Sequence, residues 1–240
     1  ITKIAKFKGY THIVITDGKK SFTTYQGGEY NTRKDFAQFT IGTIETDKFS
    51  ITADVITADQ HQELYKITGN VIITAKEDNI TLTGEYGGYN KKDGIAEIFG
   101  NTIMTKQLED DPLYLYADRF LAVEKKSNAY PEVENSIKLH AYDNVKLYKS
   151  DIQAKADSMT YKESESKIFV SGSPIFWSYE NQITADDAYI VIKDKALQEV
   201  HMSPNSLLVF KDSMENYNQI AGSSLRLIFA NNKISCMKIE

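Results

Sequence analysis

The sequence predicts an all-β protein assembled from degenerate repeats, and three observations carry that prediction. The first is a recurring strand-like run that ends in Ala or Gly plus an acidic or small polar residue. It reads Ile80-Thr81-Leu82-Thr83-Gly84-Glu85, Leu113-Tyr114-Leu115-Tyr116-Ala117-Asp118, Ile152-Gln153-Ala154-Lys155-Ala156-Asp157 and Ile183-Thr184-Ala185-Asp186. Ile51-Thr52-Ala53-Asp54, echoed at Ile56-Thr57-Ala58-Asp59, and the fainter Ile220-Ala221-Gly222-Ser223 are further copies. Their irregular spacing of roughly thirty to forty residues is that of a stacked repeat. The second observation is alternation of period two along most of the chain. The third is composition: Thr, Ile, Val and Tyr fill the strand-like runs, as a half-buried pleated surface favours, while Pro is scarce at 4 residues.

Taken in order, Thr11-His12-Ile13-Val14-Ile15-Thr16 leads into Asp17-Gly18, a type I′ hairpin signal, and then Ser21-Phe22-Thr23-Thr24-Tyr25. Residues 1–45 fit the repeat poorly and are read as N-terminal strands or a cap; residues 46–240 form the repeat domain. From Ile51 onward each unit shares a loose grammar. A strand ending in the acid is followed by a short polar segment such as 161–167, a second strand such as Ile168-Phe169-Val170, a break, and a third strand. The breaks are Gly69-Asn70, Gly100-Asn101, Asp143-Asn144, Gly172-Ser173 and Ser203-Pro204. Gly and Asn tolerate the positive φ that a kink or bulge needs. The run 117–126 has some helix propensity, but its place in the grammar matches Ala156-Asp157-Ser158-Met159-Thr160-Tyr161, so strand or turn is expected. Glu109-Asp110-Asp111-Pro112 and Tyr130-Pro131-Glu132-Val133-Glu134-Asn135 read as longer loops.

Parity assigns faces. Ile80, Leu82 and Gly84 share one side, as do Leu113, Leu115 and Ala117; Ile152, Ala154 and Ala156; and Ile183 and Ala185. In the third strands the same reading pairs Val71 with Ile73, Val145 with Leu147, Ile175 with Trp177, and Leu207 with Val209. The other face carries mostly Thr, Lys, Gln and Tyr, so one face is largely apolar and the other solvated.

Composition excludes several classes. A net charge of −5 gives no basic stripe for phosphates, so no nucleic-acid partner is expected. The one cysteine, Cys236, leaves no intramolecular disulfide and no multi-Cys zinc site, and reads as a structural thiol. No apolar run is long enough to span a bilayer. The chain opens Ile1-Thr2-Lys3-Ile4 and stops at Met237-Lys238-Ile239-Glu240 in mid-pattern, as a mature or excised fragment of a longer protein would.

Catalytic chemistry has no motif here. His12, His61, His140 and His201 are isolated from one another, and His61-Gln62-Glu63 lacks the Pro-Cys-x-x-Cys half of a zinc deaminase signature. Gly-x-Ser-x-Gly and phosphate-cradling Gly-Lys motifs are absent. Asp54, Glu85, Asp118, Asp157 and Asp186 recur at one position of the unit. They read as strand-terminating acids that bond backbone in a turn, because a calcium ladder would need glycine-rich nonapeptides. The clustered carboxylates Glu109-Asp110-Asp111 and Asp186-Asp187 each sit in one short segment and read as solvated, whereas a glycosidase pair must flank a bond. Tyr86, Tyr89, Tyr114, Tyr116, Tyr161, Tyr179 and Tyr189 read as cross-strand pairs, with sugar stacking as the sharper alternative. No enzyme, metal or cofactor is implied.

Certain stretches carry a family resemblance. Tyr65-Lys66-Ile67-Thr68-Gly69-Asn70-Val71-Ile72-Ile73 and Ile80-Thr81-Leu82-Thr83-Gly84-Glu85-Tyr86-Gly87 resemble the OstA-like periplasmic family, shared by LptA, LptC and the N-terminal part of LptD. Asn181-Gln182-Ile183-Thr184-Ala185-Asp186 and Tyr217-Asn218-Gln219-Ile220-Ala221-Gly222 look most like the OstA-like proteins of the Bacteroidetes. The resemblance covers roughly residues 45–240 and implies an open twisted β-jellyroll, a V-shaped pair of antiparallel sheets with an apolar seam. It implies a periplasmic lipopolysaccharide-transport domain of a Gram-negative bacterium, with an outer-membrane association also open. Lipopolysaccharide or lipid A acyl chains would be shielded in the seam, and other Lpt-type domains joined by edge-strand addition. Leu82, Leu113, Leu115, Val145, Leu147, Ile152, Ala154, Ile175, Trp177, Ile183 and Ala185 are the groove-lining candidates. The same residues could equally pack as a closed sandwich core, as in a structural β-repeat adhesin or carbohydrate-binding surface protein.

Overall fold

Alternation of branched or aromatic residues with Thr, Lys and Gln makes this chain pair with itself from end to end as strands. The computed structural model describes residues 3–15, 20–77, 79–108, 111–125, 136–193, 196–212, 214–230 and 233–240. Their strands are β1 (Ile4–Phe7), β2 (Thr11–Ile15), β3 (Lys20–Thr24), β4 (Gly28–Asn31), β5 (Phe36–Thr46), β6 (Phe49–Asp59) and β7 (Leu64–Ala75). β8 (Ile80–Asn90), β9 (Ile95–Lys106), β10 (Leu113–Lys125), β11 (Ser136–Lys149), β12 (Ile152–Lys162), β13 (Lys167–Ser171) and β14 (Ile175–Ser178) follow. The series ends with β15 (Asn181–Thr184), β16 (Asp187–Lys193), β17 (Ala196–Ser203), β18 (Ser206–Lys211), β19 (Tyr217–Gly222), β20 (Leu225–Ala230) and β21 (Lys233–Ile239). A single 3₁₀ turn, Glu163–Glu165, is the helical element among the described residues. The all-β open jellyroll class read from the sequence holds, and the run 117–125 is strand, as expected.

The contacts divide the chain into two compact units. One holds residues 1–114 and 119–124, the other 115–118 and 125–240, so β10 contributes to both. In the first unit, β5 through β9 form an antiparallel meander. One edge of β5 is shared: Phe36–Phe39 pairs with β4, and Gly42–Thr46 with β3. β1 then pairs with β4 and β2 with β3. Two apolar rows cross these strands: Phe22, Ile44, Ile51, Ile73, Leu82 and Met104; and Phe39, Ile56, Ile67 and Ile98, with Gly87 between the last two. Directly opposite residues in an antiparallel pair share a face, so each row is one line of side chains. The first row from Phe22 to Leu82 and the apolar side chains of the second pack into a single core with Phe7, Tyr30 and Phe120. Residue 45 lies inside β5, and Phe39 and Ile44 share that core with Ile56. The turn Asp17-Gly18 and most of the two loop segments 109–112 and 130–135 lie outside the described residues, although β2 and β3 pair as the hairpin signal requires.

The second unit repeats the shared-edge device. β11 pairs along the whole of β12. On the other edge of β12, Gln153–Lys155 pairs with β14 and Ser158–Lys162 with β13. Two half-sheets diverge from that point. One runs β14·β15·β18·β19, the other β13·β16·β17·β20·β21. Among the described residues no ladder joins β19 to β21, so the unit is open at that end.

Candidate functional site

The recurring acid marks the corner where a strand passes from one half-sheet to the next. The ladder registers slip there, between Thr52 and Val55, Thr68 and Val71, Thr83 and Tyr86, and Tyr142 and Val145. The inward face therefore changes parity across the acid: Ala53 and then Ile56 are buried, as are Ala156 and then Met159, and Ala185 and then Ala188. Four of the acids accept a hydrogen bond from an Asn side chain at the neighbouring break rather than from the turn backbone expected: Asn70 to Asp54 at 2.9 Å, and Asn101 to Glu85, Asn144 to Asp118 and Asn205 to Asp186 at 2.7 Å. The fifth, Asp157, faces Gly172 of the break Gly172-Ser173. Those asparagines hold φ between +47° and +56°, the left-handed conformation a kink needs. The small residue before the acid lets the chain turn tightly: a Cβ on Gly84 would come within 3.0 Å of the Ile98 side chain. Acid, small residue and Asn thus form a structural corner.

Beyond the corners, the second unit presents two long inner rows. Leu147, Ala154, Phe176, Ile183, Leu208 and Ile220 face one way from strand to strand. Ala141, Met159, Val170, Ala188, Met202, Leu225 and Ile239 form the other. Of the groove-lining candidates, Val145, Ala154, Ile183 and Ala185 are buried on this inner side, and Leu115, Leu147 and Ile152 are half-buried. Leu82 and Leu113 belong to the first unit, where Leu82 packs on the core.

Ile175 and Trp177 are on the wrong face for a seam. Trp177 stands opposite Gln153 and Gln182, and Ile175 opposite Lys155 and Thr184, all in the outward rows. The residue between them, Phe176, is the inner one, and Leu208 is inner rather than Leu207 and Val209. The triplet Ile175-Phe176-Trp177 is apolar at every position, so alternation alone could not choose. Met159, Val170, Met202, Leu225 and Leu227 were also not singled out, because the parity change at each corner was not read. Where β18 and β19 meet β20 and β21, Leu208, Ile220, Leu225 and Ile239 line a narrow apolar crevice too tight to admit a water molecule.

Charge lies on the outer face. Arg226 grips Glu199 with both arms, Nη2 to Oε1 at 2.7 Å and Nε to Oε2 at 3.2 Å, and His201 Nε2 lies 2.7 Å from Oε2 while its ring stacks on Tyr189. The guanidinium, and then the imidazole, hold the Glu199 carboxyl below the usual carboxylate range. A lowered folded value means stabilisation that is full above the unfolded value of about 4.3 and is lost as pH falls through the folded one. Arg226→Gln is therefore expected to flatten the fall in Tm on acidification from about pH 6 to about pH 3. An unchanged pH profile would show that the pair contributes nothing to folding. The other histidines act in ladders or turns: His12 bonds Thr23, His140 bonds Thr160 and stacks on Tyr142, and His61 is exposed. Among the described residues no group of His, Cys, Asp and Glu is arranged to hold a metal ion. Tyr65 stacks on Tyr89 and Tyr86 on Phe99, each directly across a ladder, as the pairing reading of the tyrosines expects. Cys236, expected to be structural, is exposed on β21.

Long apolar rows backed by a polar and aromatic outer face define an open β-jellyroll. The chain belongs to the LptA/(LptD N-terminal domain) LPS transport protein family, whose sequence profile matches residues 50–196, more than half of its length. That family is one of transport proteins rather than enzymes. Among solved structures it is similar to LptH, the LptA-homologous periplasmic component of the lipopolysaccharide transport device of Pseudomonas aeruginosa. The TM-score is 0.26 at 10% identity, over 72% of this chain and 93% of that one. No curated protein matches the sequence.

Proposed function

We propose that this domain carries lipopolysaccharide through the periplasm, shielding acyl chains along the inner rows of the second unit while the sugars stay in water. The observation that supports it most is the continuity of those rows from Leu147 to Ile220 and from Ala141 to Ile239, ending in the apolar crevice at the open end. Acyl chains demand such a face: at about 0.8 kcal/mol per methylene, a chain of about twelve carbons forfeits on the order of 10 kcal/mol in water. The rows are packed against each other, so a chain enters at the crevice and parts the half-sheets. Ile152, Ala154, Phe176, Ile183 and Leu208 replace one another's contacts with contacts to lipid.

Of residues 1–45, β1 to β4 act as the cap of the first unit, and β5 belongs to its meander. Neighbouring domains of the same family join at strands with one partner among the described residues, β19 and β21 in the second unit and β1 and β2 in the first. Such edges carry unpaired backbone donors and acceptors that accept an added strand. This joining links the domain toward the outer membrane.

Photocrosslinking tests the seam. A photoreactive residue placed in turn at Ile183, Leu208 and Ile220 should give adducts with purified lipopolysaccharide, while the outward positions Thr160 and Thr184 should give none. Folded variants without inner-face adducts would mean a closed sandwich and end the lipid reading.

A further inference from the structure

The outward face of the second unit holds a feature that neither the corners nor the seam uses. Around the β14–β15 hairpin, Trp177, Tyr179, Gln182, Val209 and Tyr217 line an open trough of about 220 Å³. Asn181 and Glu180 complete its polar rim. Trp177 is the chain's sole tryptophan, and its indole N–H donates to Gln182 Oε1 at 2.9 Å, which fixes the ring and leaves its face to the trough. Tyr179 is 86% exposed and Tyr217 66% exposed.

Folding does not explain Tyr179. It occupies a two-residue hairpin loop between Ser178 and Asn181 and holds φ at +53°. Gly, Asn or Asp are the residues such a loop favours, and a bulky side chain with positive φ is strained. A large ring is thus kept in water at a strained position, with no packing in return. Strain of this kind gathers at functional positions.

The chemistry of the lining selects the ligand. Aromatic faces with a few carboxamides and a carboxylate suit a molecule with an apolar C–H face and a hydroxyl edge. Lys211, beside the trough, is held by Glu180 at 3.2 Å, so no uncompensated positive charge invites a phosphate. The volume takes a sugar ring, and the open mouth lets a chain of sugars continue in both directions. From this geometry we infer that the trough is a carbohydrate subsite that holds a sugar of the oligosaccharide portion of lipopolysaccharide. The source of the sugar rests on the transport reading above; its chemistry rests on the trough alone.

The site lies on the face opposite the seam. Gln153, Trp177, Gln182, Val209 and Gln219 form one outward row, while Ala154, Phe176, Ile183, Leu208 and Ile220 run along the inward row one residue over. A domain that shields acyl chains on one side and steadies sugars on the other would hold its cargo by both ends of its polarity.

The test titrates the intact protein with lipid-free oligosaccharide released from lipopolysaccharide, read by calorimetry and by the emission of Trp177. Chitotetraose, a sugar of unrelated source, forms the second arm. Saturable binding of the lipopolysaccharide oligosaccharide is expected, at least tenfold weaker in Tyr179→Gly and in Tyr217→Ala. Tyr179→Gly relieves the strained backbone, so its Tm should stay level or rise, which separates lost binding from lost fold. No saturable heat or emission change, or equal binding by Tyr179→Gly, would overturn the inference. Saturation by chitotetraose alone would overturn the assigned source. The oligosaccharide has no acyl chains: its failure to bind while inner-face crosslinks persist defeats only the subsite, and the reverse result defeats only the seam.

Discussion

Phe176→Ala is expected to destabilise the second unit by about 3–5 kcal/mol, the range for removing a buried aromatic side chain and leaving a cavity. Its neighbour Trp177→Ala should cost less, about 1–3 kcal/mol despite the larger side chain, because that side chain is only partly buried. The ordering follows from register. Phe176 stands in line with Ala154, Ile183 and Leu208, all buried, whereas Trp177 stands with Gln153 and Gln182. Denaturant titrations of the two variants, compared at equal m-value, decide the matter. A larger loss from Trp177→Ala would mean that β14 is paired one residue off, since a single-residue slip exchanges the faces of a whole strand.

The same pair of residues shows what could and could not be read in advance. The repeated acid after Ala or Gly and the Gly-Asn breaks were legible because each has a local backbone reason: a left-handed residue and a small one must coincide at every corner. The strands followed from them. The face assignment was legible up to each corner, where Ile152, Ala154, Ile183 and Ala185 fall inward. It was lost beyond the corner, because the slip that inverts parity is a property of the partner strand as much as of the strand itself. Ala53 and Ile56 are both buried although they are an odd number of residues apart. Asn70, Asn101 and Asn144 were legible as breaks, and Asn205 only as the neighbour of the Ser203-Pro204 break, but none as an acid's partner, since that bond crosses 16 to 26 residues of chain. The aromatic trough was out of reach for a similar reason: Trp177 and Tyr217 are brought together only through β15 and β18.

Gly172→Ala should destabilise the second unit by about 2–4 kcal/mol, far beyond the effect of one methyl group elsewhere. Two separate causes add. Gly172 has φ at +87°, a conformation that costs an L-residue about 1–2 kcal/mol. Its Cβ would also lie within 3.0 Å of the Asp157 side chain, both carbon and oxygen atoms, and forced overpacking costs about 1–3 kcal/mol. The control is Gly88→Ala. Gly88 has no positive φ and its Cβ would meet only the Tyr65 carbonyl oxygen at an ordinary 3.6 Å, so its effect should stay within about 0.5 kcal/mol. Combining Asp157→Gly with Gly172→Ala removes the clash, the Asp157 Cβ included, but not the backbone cost at 172, so against Asp157→Gly alone the double variant should recover part of the loss and no more. Complete recovery would mean that the backbone at the corner is relaxed and the acid alone dictates glycine; no recovery would mean that conformation alone does. The same juxtaposition recurs at Gly69 with Asp54 and at Gly100 with Glu85. Whichever cause wins at Gly172 is therefore the reason the acid–glycine spacing is repeated along the chain, and with it the reason successive strands keep turning so that apolar rows stay on one side.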